Sequence, residues 1–307
     1  VLTMTAILTT MAAIVYGLIT IQTPQNKSPS SSSSSLPPPP PPSFYPCPKT
    51  QPSKHAYELY NSYYTPIWIT GFAIIVAFQL YETWNATTYN LVMLSFALPF
   101  LLQPLLLPSA LHNSPDAQRP FHQRYATKAN LWIAVYSFIG NYWYTHYFYS
   151  VLKAEYTMPS TRLNNVPIAM FLATHFYFSS YHVFSNVCLR RIKTGFVGGW
   201  KRRILYGSVV VVLSYFTAFM ETLTISSFPY YSFEDRDMAY TLGSAFYGIY
   251  FLVSFPAFLE FDNDIDCDIT ANGKKTGKEV TLWDTVVQSC GYGMIILCLL
   301  DFVRLQV

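Results

Sequence analysis

Two histidines seven residues apart, His175 and His182, stand in the run NNVPIAMFLATHFYFSSYHVFSN, residues 164–186, which otherwise reads as a membrane-spanning helix. Seven residues is two helical turns, so both imidazoles share a face, and Ser179 and Asn186 complete an i, i+4, i+7, i+11 stripe with them. A carboxylic acid, Glu221, lies in a second such stripe with Ser214, Thr217 and Thr224. The next apolar run presents Tyr240, Ser244, Tyr247 and Ser254. Imidazole and carboxyl groups are the side chains best suited to proton transfer. Ionisable groups are costly inside a bilayer, so three polar faces on apolar runs imply a shared interior or a wet cavity. Plain hydrogen bonding between helices is the competing use of the same groups.

The elements that must position these residues are membrane helices. Of the 307 residues, 51% are apolar and only 11% are charged, against about 25% charged in a soluble domain. A net charge of +3 is no signature of nucleic-acid binding, and the five cysteines form no CxxC pair or His–Cys cluster that would bind a metal. Seven core segments are long and apolar enough to cross: about 64–81, 88–108, 127–151, 167–187, 204–225, 238–259 and 281–302. The expected fold is an all-α polytopic bundle, with an optional eighth hydrophobic segment over residues 1–22 that acts as an anchor or targeting sequence. A Ser/Pro-rich linker covers 23–53, and the transmembrane domain covers 54–307.

Seven crossings divide the loops into two sets. All but four of the 19 lysines and arginines fall in one set, the exceptions being Lys153, Arg162, Arg236 and Arg304. The positive-inside rule makes the basic set cytoplasmic. The basic stretch LRRIKTGFVGGWKRR then reads as a topology determinant at the lipid headgroups, and the acidic stretch from Asp262 to Asp268 as a solvated loop. Asn85-Ala86-Thr87 is a glycosylation sequon on the non-cytoplasmic side, close to two spans. With this orientation His175 sits roughly 12 Å along its span from the non-cytoplasmic side, at 1.5 Å per residue, and His182 lies deeper. Glu221 and His146 are near the non-cytoplasmic ends of their spans, and the loops on that side hold Asn164, Asn165, Tyr230, Tyr231 and Asp235. The unusual polar groups gather in one half of the bundle. By themselves they fit an enzyme, a proton-coupled transporter or a non-catalytic binding protein.

The phrases KANLWIAVYSFIGNYWYTHYF, YTMPSTRLNNVP, FLATHFYFSSYHVFSN, ETLTISSFPYYSFEDR and YFLVSFP resemble the plant and algal cycloeucalenol cycloisomerases. The resemblance runs from about Lys54 to Pro256 and departs at Ile168, where the family pattern has a histidine. It implies a multi-pass enzyme of the endoplasmic-reticulum membrane, embedded in lipid, that uses no redox cofactor. Its sterol substrate would be cycloeucalenol, whose 9β,19-cyclopropane ring opens to give obtusifoliol.

That reaction delivers a proton to C19, develops positive charge at C9 and removes the C8 proton. A desolvated carboxyl keeps its proton, which makes Glu221 the candidate acid, with His175 and His146 as its partners. The rings of Tyr142, Trp143, Tyr177 and Tyr181 are candidates to face the cation. His182 is expected to orient its neighbours. Asn164 and Asn165 could bind the sterol hydroxyl or cap the helix that follows. Asp235 could accept from Tyr230 or Tyr231, or pair with Arg236.

Overall fold

A computed structural model describes residues 2–25, 41–108, 113–225, 228–267 and 279–306; the part 26–40 of the expected Ser/Pro linker lies outside the described residues. The chain is mostly helical: α1 (Leu2–Thr20), α2 (Pro52–Ala77), α3 (Ala86–Leu106), α4 (Tyr125–Ile139), α5 (Thr145–Val151), α6 (Ile168–Gly195), α7 (Trp200–Ile225), α8 (Arg236–Met238), α9 (Ser244–Glu260) and α10 (Leu282–Arg304). A π-helical turn, Gly140–Tyr144, joins α4 to α5 without a break, and another, Ala239–Gly243, joins α8 to α9. Each expected core segment is therefore largely helical.

Local signals account for the helix ends. Pro52 occupies the first turn of α2, where its missing N–H costs nothing. The Asn85 side chain accepts from the Thr88 N–H at 2.9 Å and caps α3, so the sequon asparagine is held in a helix cap. Thr281 and Asp284 form a reciprocal capping box at the start of α10.

Five helical stretches among the described residues are long and apolar enough to cross a membrane: α1, α3, α7, Arg236–Glu260 and α10. This is a multi-pass membrane protein. Helices α4 and α6 occupy expected spans too, but are more polar and pack inward. α6 is the hub, touching α2, α3, α4, α7 and α9, while α7 lies along α9 and α4 along α10. The outer helices leave residues such as Leu91, Leu106, Met294 and Phe302 exposed, as a lipid-facing surface requires. α1 packs along α7, with Met4 fully buried, and the chain after it bonds to the α6–α7 loop through Val197 N–H to Thr23 O (3.0 Å) and to the first turn of α7 through Gln22 Nε2 to Lys201 O (3.1 Å).

The basic and acidic loops are not simply solvated. Arg190 grips Glu58 with two bonds of 2.6 and 2.7 Å, Asn186 adds a third at 2.9 Å, and both charged residues are buried. Lys54, equally buried, donates to the Leu259 carbonyl (2.5 Å) and Asn263 Oδ1 (2.6 Å), holding the end of α9 against the start of α2. Lys128 pairs with Asp262, and Arg119 bridges Asp116 and Asp266, at 2.9 Å each. The expectation of a solvated acidic loop is corrected for Asp262 and Asp266, because each closes an ion pair with a basic residue from another loop or helix. Asp268 lies outside the described residues.

On the opposite end short strands tie the loops. β1 (Glu155–Tyr156) pairs antiparallel with β4 (Tyr231–Ser232), and β2 (Arg162–Leu163) with β3 (Val166–Pro167). The β2–β3 turn is Asn164-Asn165 with φ of 51° and 62°, the left-handed pair of a type I′ hairpin that asparagine tolerates. Removing one partner of a buried ion pair leaves an uncompensated charge. Arg190→Ala is therefore expected to cost roughly 3–5 kcal/mol, against less than about 0.5 kcal/mol for exposed Arg203→Ala, measured by unfolding in detergent.

Candidate active site

A pocket enclosing about 640 Å³, including its open mouth, lies under the β1–β4 pair. Its walls come from both π-helical turns (Gly140, Asn141, Ala239), from α6 (Thr174, Phe178), α7 (Glu221, Thr222, Ile225) and α9 (Tyr247, Tyr250), and from the strand residues Tyr156 and Tyr231. A π turn widens a helix by one residue and shifts the register of what it presents, which is why such turns recur at functional sites. Here Asn141 is turned to donate to Thr174 Oγ1 at 2.6 Å.

Glu221 is the one carboxyl among the described residues lining this pocket, and it is 8% exposed. The Tyr247 hydroxyl donates to its Oε2 at 2.7 Å, and Tyr181 approaches the same carboxyl. The Tyr156 and Tyr231 rings stack at 4.3 Å, and burial raises both phenols above their usual range, so both stay neutral donors at the mouth. The Tyr250 hydroxyl is buried with no hydrogen-bond partner among the described residues. The arrangement can hold a proton on a carboxyl facing an apolar, ring-lined space, and rings can steady a cation by about 0.5–2 kcal/mol each.

Of the residues expected from the sequence, Glu221 and Tyr231 line the pocket, and Tyr177 and Tyr181 stand beside Glu221 on α6. His175 is turned to Asn130 Oδ1 at 3.2 Å. His182 bridges α6 to α9: Nδ1 meets the Phe178 carbonyl at 2.7 Å and Nε2 meets Ser254 Oγ at 2.9 Å. A carbonyl only accepts, so Nδ1 carries the proton and Nε2 takes the serine hydroxyl. The rings of Trp132, Tyr136, Phe255 and Phe258 enclose this imidazole.

The remaining expected residues lie outside the pocket lining. His146 is half-buried, edge-on to Tyr149 at 5.3 Å. Tyr142 stacks on Phe138, and Trp143 is half-exposed beside it. Asn164 donates to the Tyr142 carbonyl at 2.5 Å, and the Asn165 carbonyl accepts from the Tyr149 hydroxyl at 3.1 Å. Pro167 holds the N-cap position of α6. Tyr230 packs edge-on to Tyr81 and Phe228, and Asp235 caps α8 through the Asp237 and Met238 N–H groups.

Sequence reading missed Tyr156, Tyr250, Asn141, Thr174 and Phe178. Tyr247 was visible in a polar stripe and Tyr250 sits one turn further along the same helix. The π turns that bring Asn141 inward have no signature in residue type.

Over 257 residues the chain is 40% identical to the cycloeucalenol cycloisomerase of Arabidopsis thaliana, covering 83% of this chain and 86% of that protein. The chain belongs to the cycloeucalenol cycloisomerase family. No family model and no solved structure matches it. Within this cycloisomerase fold the polar stripe of α6 is a set of bridges as much as a site. His182→Ala removes the link to Ser254 and hollows out a ring-lined space. It is expected to destabilise the protein by about 3–5 kcal/mol, read as a lower unfolding temperature in detergent.

Proposed function

We infer that the protein opens the 9β,19-cyclopropane ring of cycloeucalenol to give the Δ8 sterol obtusifoliol. The observation that carries this reading is the Glu221 carboxyl facing a ring-walled pocket, in a chain 40% identical to a cycloeucalenol cycloisomerase. Ring opening is an isomerisation: one proton enters at C19 and one leaves from C8, so the electron count is unchanged and no oxidant or hydride is needed. Glu221 donates the first proton. Tyr247 keeps the carboxyl aimed by holding one of its oxygens, as the 2.7 Å contact supports. Charge developing at C9 is met by the faces of Phe148, Phe178 and Tyr250, all of which line the pocket. Asn141, Thr145 and Thr174 offer hydrogen bonds to the one hydroxyl of an otherwise apolar sterol.

With this reading goes an endoplasmic-reticulum location; seven core crossings with cytoplasmic basic loops are supported by the one-sided distribution of lysine and arginine. The substrate is itself a membrane lipid.

Membranes containing the protein, incubated with cycloeucalenol in heavy water without added cofactor, should yield a Δ8 product with one deuterium in the C19 methyl by mass spectrometry. Unchanged cycloeucalenol bound to folded protein would overturn the reading in favour of a sterol carrier. Glu221→Gln keeps the shape and removes the proton. It is expected to lower turnover by about 10²–10⁴-fold at unchanged thermal stability; near-normal turnover would remove Glu221 from the chemistry.

A further inference from the structure

The cycloisomerisation requires a proton acceptor for C8 as well as a donor for C19, and the pocket holds few groups able to accept. Among the described residues that line it, Glu221 is the one carboxylate, and none is a histidine or a lysine. Tyrosines surround Glu221, among them Tyr177 and Tyr181 of α6, Tyr156 of β1, Tyr231 of β4, and Tyr247 and Tyr250 of α9. A neutral phenol is a donor and a very weak base. Of the imidazoles outside the lining, His175 meets Asn130 and His182 meets Phe178 and Ser254, while His146, next to the lining residue Thr145, keeps a buried Nε2 with no partner among the described residues.

Resting on the cycloisomerase reading, we propose that Glu221 is both the acid and the base, a single carboxyl that gives its proton to C19 and takes one back from C8. The Glu221 O–H bond breaks as the C9–C19 bonding pair forms the new C19–H bond, leaving C9 cationic and Glu221 a carboxylate. The C8–H bond then breaks, its electron pair forms the C8=C9 double bond, and the proton passes to the carboxylate. C8 and C19 are both bonded to C9, so one carboxyl with two oxygens reaches both. The enzyme ends the turnover as it began it, protonated, and the carboxyl exchanges its proton with solvent as product leaves, so solvent deuterium still reaches C19 and no proton has to return from a distant base. A mechanism with separate acid and base would leave both groups in the wrong state after each turnover and would need a return path.

The test is the pH dependence of single-turnover ring opening by the whole protein in its membrane, each sample being returned to neutral pH to show that full activity recovers. One carboxyl that must start protonated gives a rate that is level on the acid side and falls tenfold per pH unit above a single ionisation. A histidine base adds an acid limb, and a bell-shaped profile in recoverable enzyme would overturn the proposal. His175→Gln and His146→Asn should keep turnover within about tenfold of the parent. A hundredfold or greater loss in either, in correctly inserted protein of parental thermal stability, would overturn it as well. If the parent protein converts no cycloeucalenol at any pH, it is the cycloisomerase reading that falls, not the choice between one group and two.

Discussion

A polar side chain inside a membrane protein must find a partner there, because lipid offers none, and α6 is built around that demand. Thr174 meets Asn141, His175 meets Asn130, Ser180 takes bonds from Thr65 and Trp68, His182 meets Ser254, and Asn186 joins Arg190 on Glu58. Those partners lie on α2, α4, α9 and the π turn after α4. One helix thereby sets the positions of its neighbours through directional bonds that apolar packing alone does not supply.

The two ends of the bundle satisfy their charges in different ways. At the basic end every buried carboxylate among Glu58, Asp116 and Asp262 has a cation beside it, and the ion pairs stitch loops that are far apart in sequence. At the other end Glu221 has phenols around it and no ion pair among the described residues. A carboxylate bound to a cation from another segment serves structure. A carboxyl held by neutral donors is free to exchange a proton. The same residue type thus has two fates, decided by what stands next to it.

The pocket exists because two helices are irregular at the same level. Gly140–Tyr144 and Ala239–Gly243 each carry a π turn, and residues of both reach the pocket wall. The strand pair β1–β4 then brings Tyr156 and Tyr231 over the mouth, joining two loops that are about 75 residues apart along the chain. Bundle, pocket and cover are consequently assembled from nearly every part of the sequence.

Much of this was legible beforehand. Membrane crossing follows from the length of apolar runs, and the shared face of His175, Ser179, His182 and Asn186 from the 3.6-residue helical period, since both are local properties of the chain. Glu221 stood out because an unpaired acid in an apolar run is costly wherever it folds. The family was carried in long ordered phrases. Partners were not legible: nothing local to His182 names Ser254, nothing in a basic loop says that Arg190 is buried on Glu58, and nothing in GNYWY marks a π turn. The sequence by itself determined which residues must avoid lipid; only the tertiary structure decided which of them meet each other and which meet the pocket. Hydrophobic periodicity acts within one helix, whereas hydrogen bonds and ion pairs form only when separate helices are brought to the same place.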